Sequence, residues 1–150
     1  MDQEKLTQYI LRYENSFFTA ARLIGPKIQE AFGEEVTGDQ FFVLQILTNE
    51  ENVTSSQLAK LFNVKPSAIT AMIDRMYKND LVLRNRDEKD RRVVYIELSE
   101  KGKEIKRRAE KKRMEIMQKY YGQLEEDELV ALIETIEKLT RIIQDDFKEE

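Results

Sequence analysis

A mainly α-helical fold with one small β-hairpin is what this sequence predicts, and three observations predict it. Charged residues fill 36% of the 150 positions while only five are Gly and two are Pro, a composition that favours helices over loops. Apolar residues recur at helical spacing along most of the chain. Between Leu81 and Gly102 that spacing gives way to a period of two on one side of a polar tip, Arg86-Asp-Glu-Lys-Asp90, after a short segment that can extend. Hydrophobic residues at 41% are enough to build the core of one domain, or of one domain with a helical appendage.

The first helix is expected from Gln3 to Ala31, where Ile10, Tyr13, Phe17, Ala20, Ala21 and Ile24 mark one face. Gly25-Pro26 interrupts it, and because proline has no amide hydrogen and crowds the preceding turn, a kink or a break is expected there. Thr37-Gly-Asp-Gln40 is a capping-box pattern ahead of an apolar helix from Phe41 to Leu47, and Thr54-Ser-Ser-Gln57 is a second such box. After it, Leu58, Leu61 and Phe62 share one side of a short helix. Asn63 and Val64 turn the chain, asparagine tolerating the left-handed conformation, and Lys65-Pro66 opens a new helix at the position where a missing amide costs nothing.

In that helix Ile69, Met72, Ile73 and Met76 form the stripe to be buried, leaving Ser67, Thr70, Ala71, Asp74, Arg75 and Lys78 opposite. Ala59 is small where two helices must approach closely. The spacings from Ala59 through Asn63 to Ile69 and Met72 follow the helix-turn-helix pattern. Any amphipathic helix has a polar face, but this one is small near its start and cationic further on, so it fits a major groove.

The hairpin comes next. Val82 to Arg86 can extend, and Val94, Ile96 and Leu98 alternate with Val93, Tyr95 and Glu97. Arg84, Arg86, Lys89, Arg91 and Arg92 face three acids around the turn, a small net of +2 that a solvated hairpin could also carry. Its position is more telling than its charge. Residues 60 to 113 hold 17 Lys/Arg and 9 Asp/Glu, a net of +8, whereas residues 1 to 59 stand at −5 and residues 114 to 150 at −7. The overall −4 and isoelectric point of 5.2 conceal a basic middle between acidic ends, the asymmetry expected of a chain that offers one face to a polyanion.

The sequence contains no Cys and no His. Disulfides, thiolate nucleophiles and imidazole acid-base chemistry are excluded, and zinc would have to be held by carboxylates alone. No paired carboxylates with a site context, glycine-rich phosphate loop or G-x-S-x-G turn is present, so no enzyme, metal site or cofactor is expected. With no signal peptide and no apolar run long enough for a membrane, the expected location is the cytoplasm.

Residues Ile73 to Lys103 resemble the signature of the MarR family of bacterial winged-helix regulators. The core of the match is Asp90-Arg91-Arg92, then five residues, then Leu98-Ser99-Glu100-Lys101-Gly102. Thr37-x-x-Gln40 and the chain length extend the resemblance over nearly the whole sequence. It implies a homodimer with an intertwined helical base, a wing whose arginine enters the minor groove, and usually a repressor released by a small ligand. Arg92 is then the groove residue of the wing tip and Asp90 its neighbour, shaping the tip through an ion pair. Two departures stand out. Asp80 replaces a frequent Gly, so Asn79 or Asp80 must take the helix-ending strain, and Ser99 stands where Thr is commoner.

Ser99 remains a suitable N-cap for a helix from Glu100 to about Tyr121, roughly 33 Å long at 1.5 Å per residue. Its segment Lys106 to Arg113 reads as a solvated stalk, too charged to bury, with Ile105, Ala109, Ile116 and Tyr120 as a narrow seam. The last helix, Asp127 to Phe147, carries Leu129, Leu132, Ile133, Ile136, Leu139, Ile142 and Ile143, more apolar surface than one stalk covers. A partner chain is the economical explanation, and folding back on its own chain the alternative.

The expected organisation is a winged helix-turn-helix DNA-binding domain at 37–100, a connecting helix at 100–121, and a helical dimerisation region from 1–36 and 118–150. The expected role is a dimeric transcriptional regulator on a pseudo-palindromic duplex operator, most simply a repressor relieved by a small aromatic or anionic ligand. A winged-helix protein-interaction module is the alternative. Ser55, Lys65, Ser67, Thr70, Ala71, Asp74, Arg75, Lys78, Arg86, Lys89, Asp90, Arg91 and Arg92 are the expected DNA-binding set. Tyr9, Tyr13, Phe17, Phe41 and Phe42 are the candidates for a ligand pocket, or else ordinary core aromatics.

Overall fold

The computed structural model describes residues 2–147. Among these residues the element order is α1 (Gln3–Phe32), α2 (Gly38–Asn49), β1 (Val53–Thr54), α3 (Ser55–Leu61), α4 (Pro66–Lys78), β2 (Val82–Arg86), β3 (Val94–Leu98), α5 (Glu100–Tyr121) and α6 (Glu126–Asp146). Contacts divide the chain into one compact unit ending at Arg113 and a second beginning at Met114.

The helix boundaries follow from local chemistry. Asp2 caps α1 by accepting from the Lys5 amide at 2.8 Å. Both capping boxes are reciprocal. Gln40 N donates to Thr37 Oγ1 at 3.2 Å while Gln40 Oε1 accepts from Thr37 N at 3.0 Å, and Gln57 and Thr54 repeat the exchange at 3.2 and 2.7 Å. No break occurs at Gly25-Pro26, contrary to one form of the sequence expectation: α1 runs through Pro26 and stops at Gly33, φ +66°. The carbonyl deprived of a donor belongs to Arg22, and Arg22, Gly25 and Pro26 are all exposed, so water can serve it.

The sheet has three strands rather than the two of a simple hairpin. Its order is β1-β3-β2, all antiparallel, with Val53 opposite Ile96 and Arg84 also opposite Ile96 on the other side. A strand of two residues is too short to show a period of two, which is why β1 has no signal in the sequence.

Leu44, Leu58, Ile69, Ile73, Met76, Leu81 and Val82 form the fully buried centre of the first unit, with Phe32, Val36, Phe41, Ile105 and Ala109 around it. Leu61 departs from its expected place on the inner face of α3. It is 58% exposed, and Leu58 and Ala59 make the contact instead. In the second unit α6 buries none of its residues: Leu132, Ile133, Ile136 and Leu139 are each exposed by more than 40%. In the first unit Tyr9, Ile10, Tyr13 and Phe17 of α1 are exposed to a similar degree.

Candidate nucleic-acid interface

Helix α4 presents the face that its sequence pattern predicts. Ile69, Ile73 and Met76 are fully buried and Met72 partly so, while Ser67, Thr70, Ala71, Arg75 and Lys78 are exposed and Asp74 half-buried. The turn before it uses Asn63 at φ +50°, and Val64 N donates to Ala59 O at 3.1 Å. Lys65 is the exposed N-cap residue and Pro66 the first helical one. Ser55 opens α3 and is half-buried. The Thr70 hydroxyl donates to Pro66 O at 3.0 Å, so towards solvent it offers lone pairs and a methyl group.

Asp80 takes the helix-ending strain, at φ +59°, where Asn79 stays at φ −90°. The Leu-Ser-Glu-Lys-Gly motif closes around this same turn. The Ser99 hydroxyl donates to Asp80 O and accepts from Gly102 N at 2.8 Å, while Ser99 N donates to Leu81 O at 3.2 Å. A Cβ on Gly102 would overlap the Leu81 carbonyl oxygen and sit 2.9 Å from its carbon, so only glycine lets α5 start against the chain leaving α4. The base of the wing is fixed by these four residues.

The wing tip is ordered by two aspartates. Asp87 Oδ1 accepts from the amides of Lys89 and Asp90, both at 2.8 Å, and Asp87 Oδ2 accepts from the Tyr95 hydroxyl at 3.1 Å. Asp90 Oδ1 accepts from Arg92 N at 3.1 Å and Arg92 Nε at 3.0 Å, and its Oδ2 from the guanidinium at 3.1 Å. Arg86 reaches back to Arg91 O at 3.3 Å. Arg92 therefore stands 91% exposed but aimed, its fork held by one carboxylate. The electrostatics agree with the geometry. The Asp90 and Lys89 amides hold the Asp87 carboxyl below its ordinary range, and the Arg92 fork does the same for Asp90. In turn Asp90 raises the pKa of Arg92, and the bond to Asp87 raises that of Tyr95.

Asp87, Tyr95 and Arg84 are absent from the expected set. Asp87 leaves a readable signal, since aspartate at the first position of a polar turn bonds its own backbone two and three residues on. Arg84 leaves none. Its guanidinium pairs with Asp74 of α4 and lies 5.1 Å from the centre of the Tyr77 ring, a meeting that only the packing of α4 on the hairpin creates.

The stalk segment of α5 is less solvated than its charge predicts. Lys106 keeps only 13% of its side chain exposed while pairing with Glu110 at 2.8 Å, and the Arg113 guanidinium lies 5.7 Å from the Phe41 ring centre. Long cationic side chains lay their aliphatic stems over apolar surface, which a count of charges does not register. Arg108 pairs with Glu35 at 2.6 Å, leaving Lys111 and Lys112 exposed.

Of the five aromatics considered for a ligand, Phe41 is buried against Phe32, ring centres 5.0 Å apart, while Phe42 is exposed. Tyr13 and Phe17 stack at 5.9 Å on the exposed face of α1 with Tyr9 one turn earlier. A cleft of about 750 Å³ lies elsewhere, between the end of α2, the C-terminal end of β3 and Lys103, Lys106 and Arg107 of α5. Among the described residues no group of three or more acidic side chains is placed to hold a metal ion, and no helix is long and apolar enough to cross a membrane.

Known proteins share this arrangement. The MarR family model matches residues 36–94, which span α2 to the start of β3. The chain is 32% identical over 127 residues to the HTH-type transcriptional repressor MdtR of Bacillus subtilis, covering 84% of this chain and 82% of that protein. A MarR family protein from Bacillus stearothermophilus has the same fold, with a TM-score of 0.80 at 26% identity over 96% of this chain and 99% of the other. A MepR-like protein complexed with pseudoligands is 41% identical, with a TM-score of 0.57 over 86% of this chain and 94% of the other. With the helix-turn-helix, the wing and its Asp-Arg-Arg motif in place, the chain belongs to the MarR family and is a DNA-binding transcriptional regulator.

Proposed function

We propose that this regulator binds a pseudo-palindromic duplex operator as a homodimer and represses transcription until a small aromatic or anionic ligand releases it. The observation that carries the DNA-binding mode is the wing tip, where Arg92 is almost wholly exposed yet held in one direction by Asp90 on a loop tied down by Asp87. Residues 37–100 are the DNA-binding domain in this reading, 100–121 the connecting helix, and 1–36 with 118–150 the dimerisation region. Ser67, Thr70, Ala71 and Arg75 read the major groove, and Arg92 enters the flanking minor groove. Lys65, Lys78, Lys89 and Arg91 neutralise phosphates, with Ser55 and Arg86 beside them.

Dimerisation is supported by the exposed apolar residues of α1 and α6, which a second copy would cover, with two-fold symmetry setting two α4 helices about 34 Å apart, one DNA turn. Repression is supported by the likeness to MdtR, and ligand release by the MepR-like protein that holds pseudoligands and by the aromatics Tyr9, Tyr13, Phe17, Phe41 and Phe42. The cytoplasm is the compartment where such a protein meets its operator. Selection of bound fragments from random duplex DNA, with sedimentation of the free protein, tests the proposal. It predicts enriched half-sites one turn apart and a dimer; unenriched fragments or a monomer at micromolar concentration would refute it.

A further inference from the structure

We infer that Asp74, Arg84 and Tyr77 form a clamp that fixes the wing to the recognition helix, making Arg84 a positioning residue rather than a DNA contact. The inference rests on the DNA-binding reading and adds how the two reading elements are held in register.

Three observations carry it. Arg84 lies on β2 two residues after the buried Val82; the residue is exposed, but its side chain keeps 33% of its surface to solvent against 91% for Arg92. Its guanidinium is used twice at the α4 surface, pairing with the Asp74 carboxylate and lying over the Tyr77 ring at 5.1 Å. Asp74 is the sole acid in α4, on the face that carries Thr70, Ala71 and Lys78. A bare carboxylate there would repel phosphates, and the pairing with Arg84 neutralises it. Among the described residues Leu81 N donates to Met76 O at the wing base, and Ile73 and Met76 share an apolar cluster with Val82 and Ile96, contacts that fix distance better than direction. A guanidinium bonded to the carboxylate through one nitrogen and resting over the ring is held at two places on α4, and this restrains the angle at which the hairpin leaves the helix. That angle decides whether Arg92 and α4 can reach adjacent grooves together.

The test compares Asp74→Asn, Arg84→Ala and the double variant with the parent, first free and then on the selected duplex. In the free protein, hydrogen exchange of the β2 and β3 amides is expected to speed up in each single variant, and no further in the double. On DNA, each single variant is expected to weaken binding about fivefold across all operator positions, the size of an ion pair with a ring contact at a partly exposed site. The double is expected to match the singles, and Arg84→Ala to keep the parental salt slope. Exchange unchanged in both single variants overturns the clamp whatever happens on DNA. Tighter binding by Asp74→Asn together with a salt slope reduced in Arg84→Ala also overturns it, making Arg84 a phosphate contact. A loss confined to one operator base pair in Asp74→Asn would make Asp74 a base reader instead. A parent that shows no salt-dependent duplex binding sinks the DNA-binding reading, while the exchange measurement still decides the clamp.

Discussion

Substituting Gly102 by Ala separates two opposed physical effects, and the structure says which wins. Gly102 lies in the first turn of α5, where helix propensity alone makes Ala more stable by about 1 kcal/mol. The new methyl would stand 2.9 Å from the Leu81 carbonyl carbon, against an ordinary carbon separation of about 3.5 Å or more. The carbonyl oxygen, which the methyl would overlap, lies nearer still, so Leu81 must retreat by well over the ~0.6 Å that its carbon alone requires. Leu81 is 1% exposed and its carbonyl accepts from Ser99 N, so the retreat strains a packed core and stretches a hydrogen bond. Ser99 Oγ, 3.3 Å from the same methyl, must give by a few tenths of an ångström where it caps Gly102 N. Overpacking costs about 1–3 kcal/mol and strain on the cap adds a fraction of about 1 kcal/mol, so after the propensity gain a net destabilisation of about 0.5–2.5 kcal/mol is expected. Urea unfolding measures it as a lower midpoint at unchanged slope. A Gly102→Ala variant as stable as the parent, or more stable, would refute the packing argument.

Further predictions concern charge and assembly. Asp87 and Asp90 both have carboxyl pKa values lowered from the ordinary 3.8, so the order they give the tip is complete above that value and is lost as pH falls through the lower folded values. Exchange of the Lys89, Asp90 and Arg92 amides should hold steady from neutral pH to about 5 and rise beyond the intrinsic rate change only below 3.8; loss of protection near pH 5 would contradict the assignment. Lys78→Ala is expected to weaken binding equally on all duplexes and to lower the salt slope by about one per protomer, as read from titrations at several salt concentrations. In the proposed dimer Leu139→Glu would remove apolar contacts that symmetry duplicates, each worth about 1.5–3 kcal/mol, so sedimentation should show the dimer constant weakened at least a hundredfold.

The amphipathic elements were readable because burial imposes a period. The stripe of α4, both capping boxes and the start of α5 at Glu100 follow from spacing and cap chemistry within a few residues of one another. Contacts between distant residues follow no such rule. Strand β1 is fixed by Val53 meeting Ile96 across 43 positions, and two residues show no period. The pairing of Asp74 with Arg84 depends on how α4 lies on the hairpin, and Gly102 on how near Leu81 comes. Lys106 and Arg113 misled through their charge, because the sequence displays the head group while the packing uses the stem. Asp87 was legible in principle, since a turn aspartate followed by two bonded amides is a local motif.

The wing carries the central claim, and Arg92→Ala tests it most directly, with hydroxyl-radical footprinting of the minor groove and dimethyl sulfate protection of major-groove guanines on the selected operator. The variant is expected to fold as the parent does, because the Arg92 side chain is 91% exposed and its hydrogen bonds run to Asp90 on the same turn, outside the core. It should bind at least about tenfold more weakly and lose protection of the minor grooves flanking each half-site, while major-groove protection by α4 persists at higher protein concentration. Parental affinity with an unchanged footprint would contradict the account.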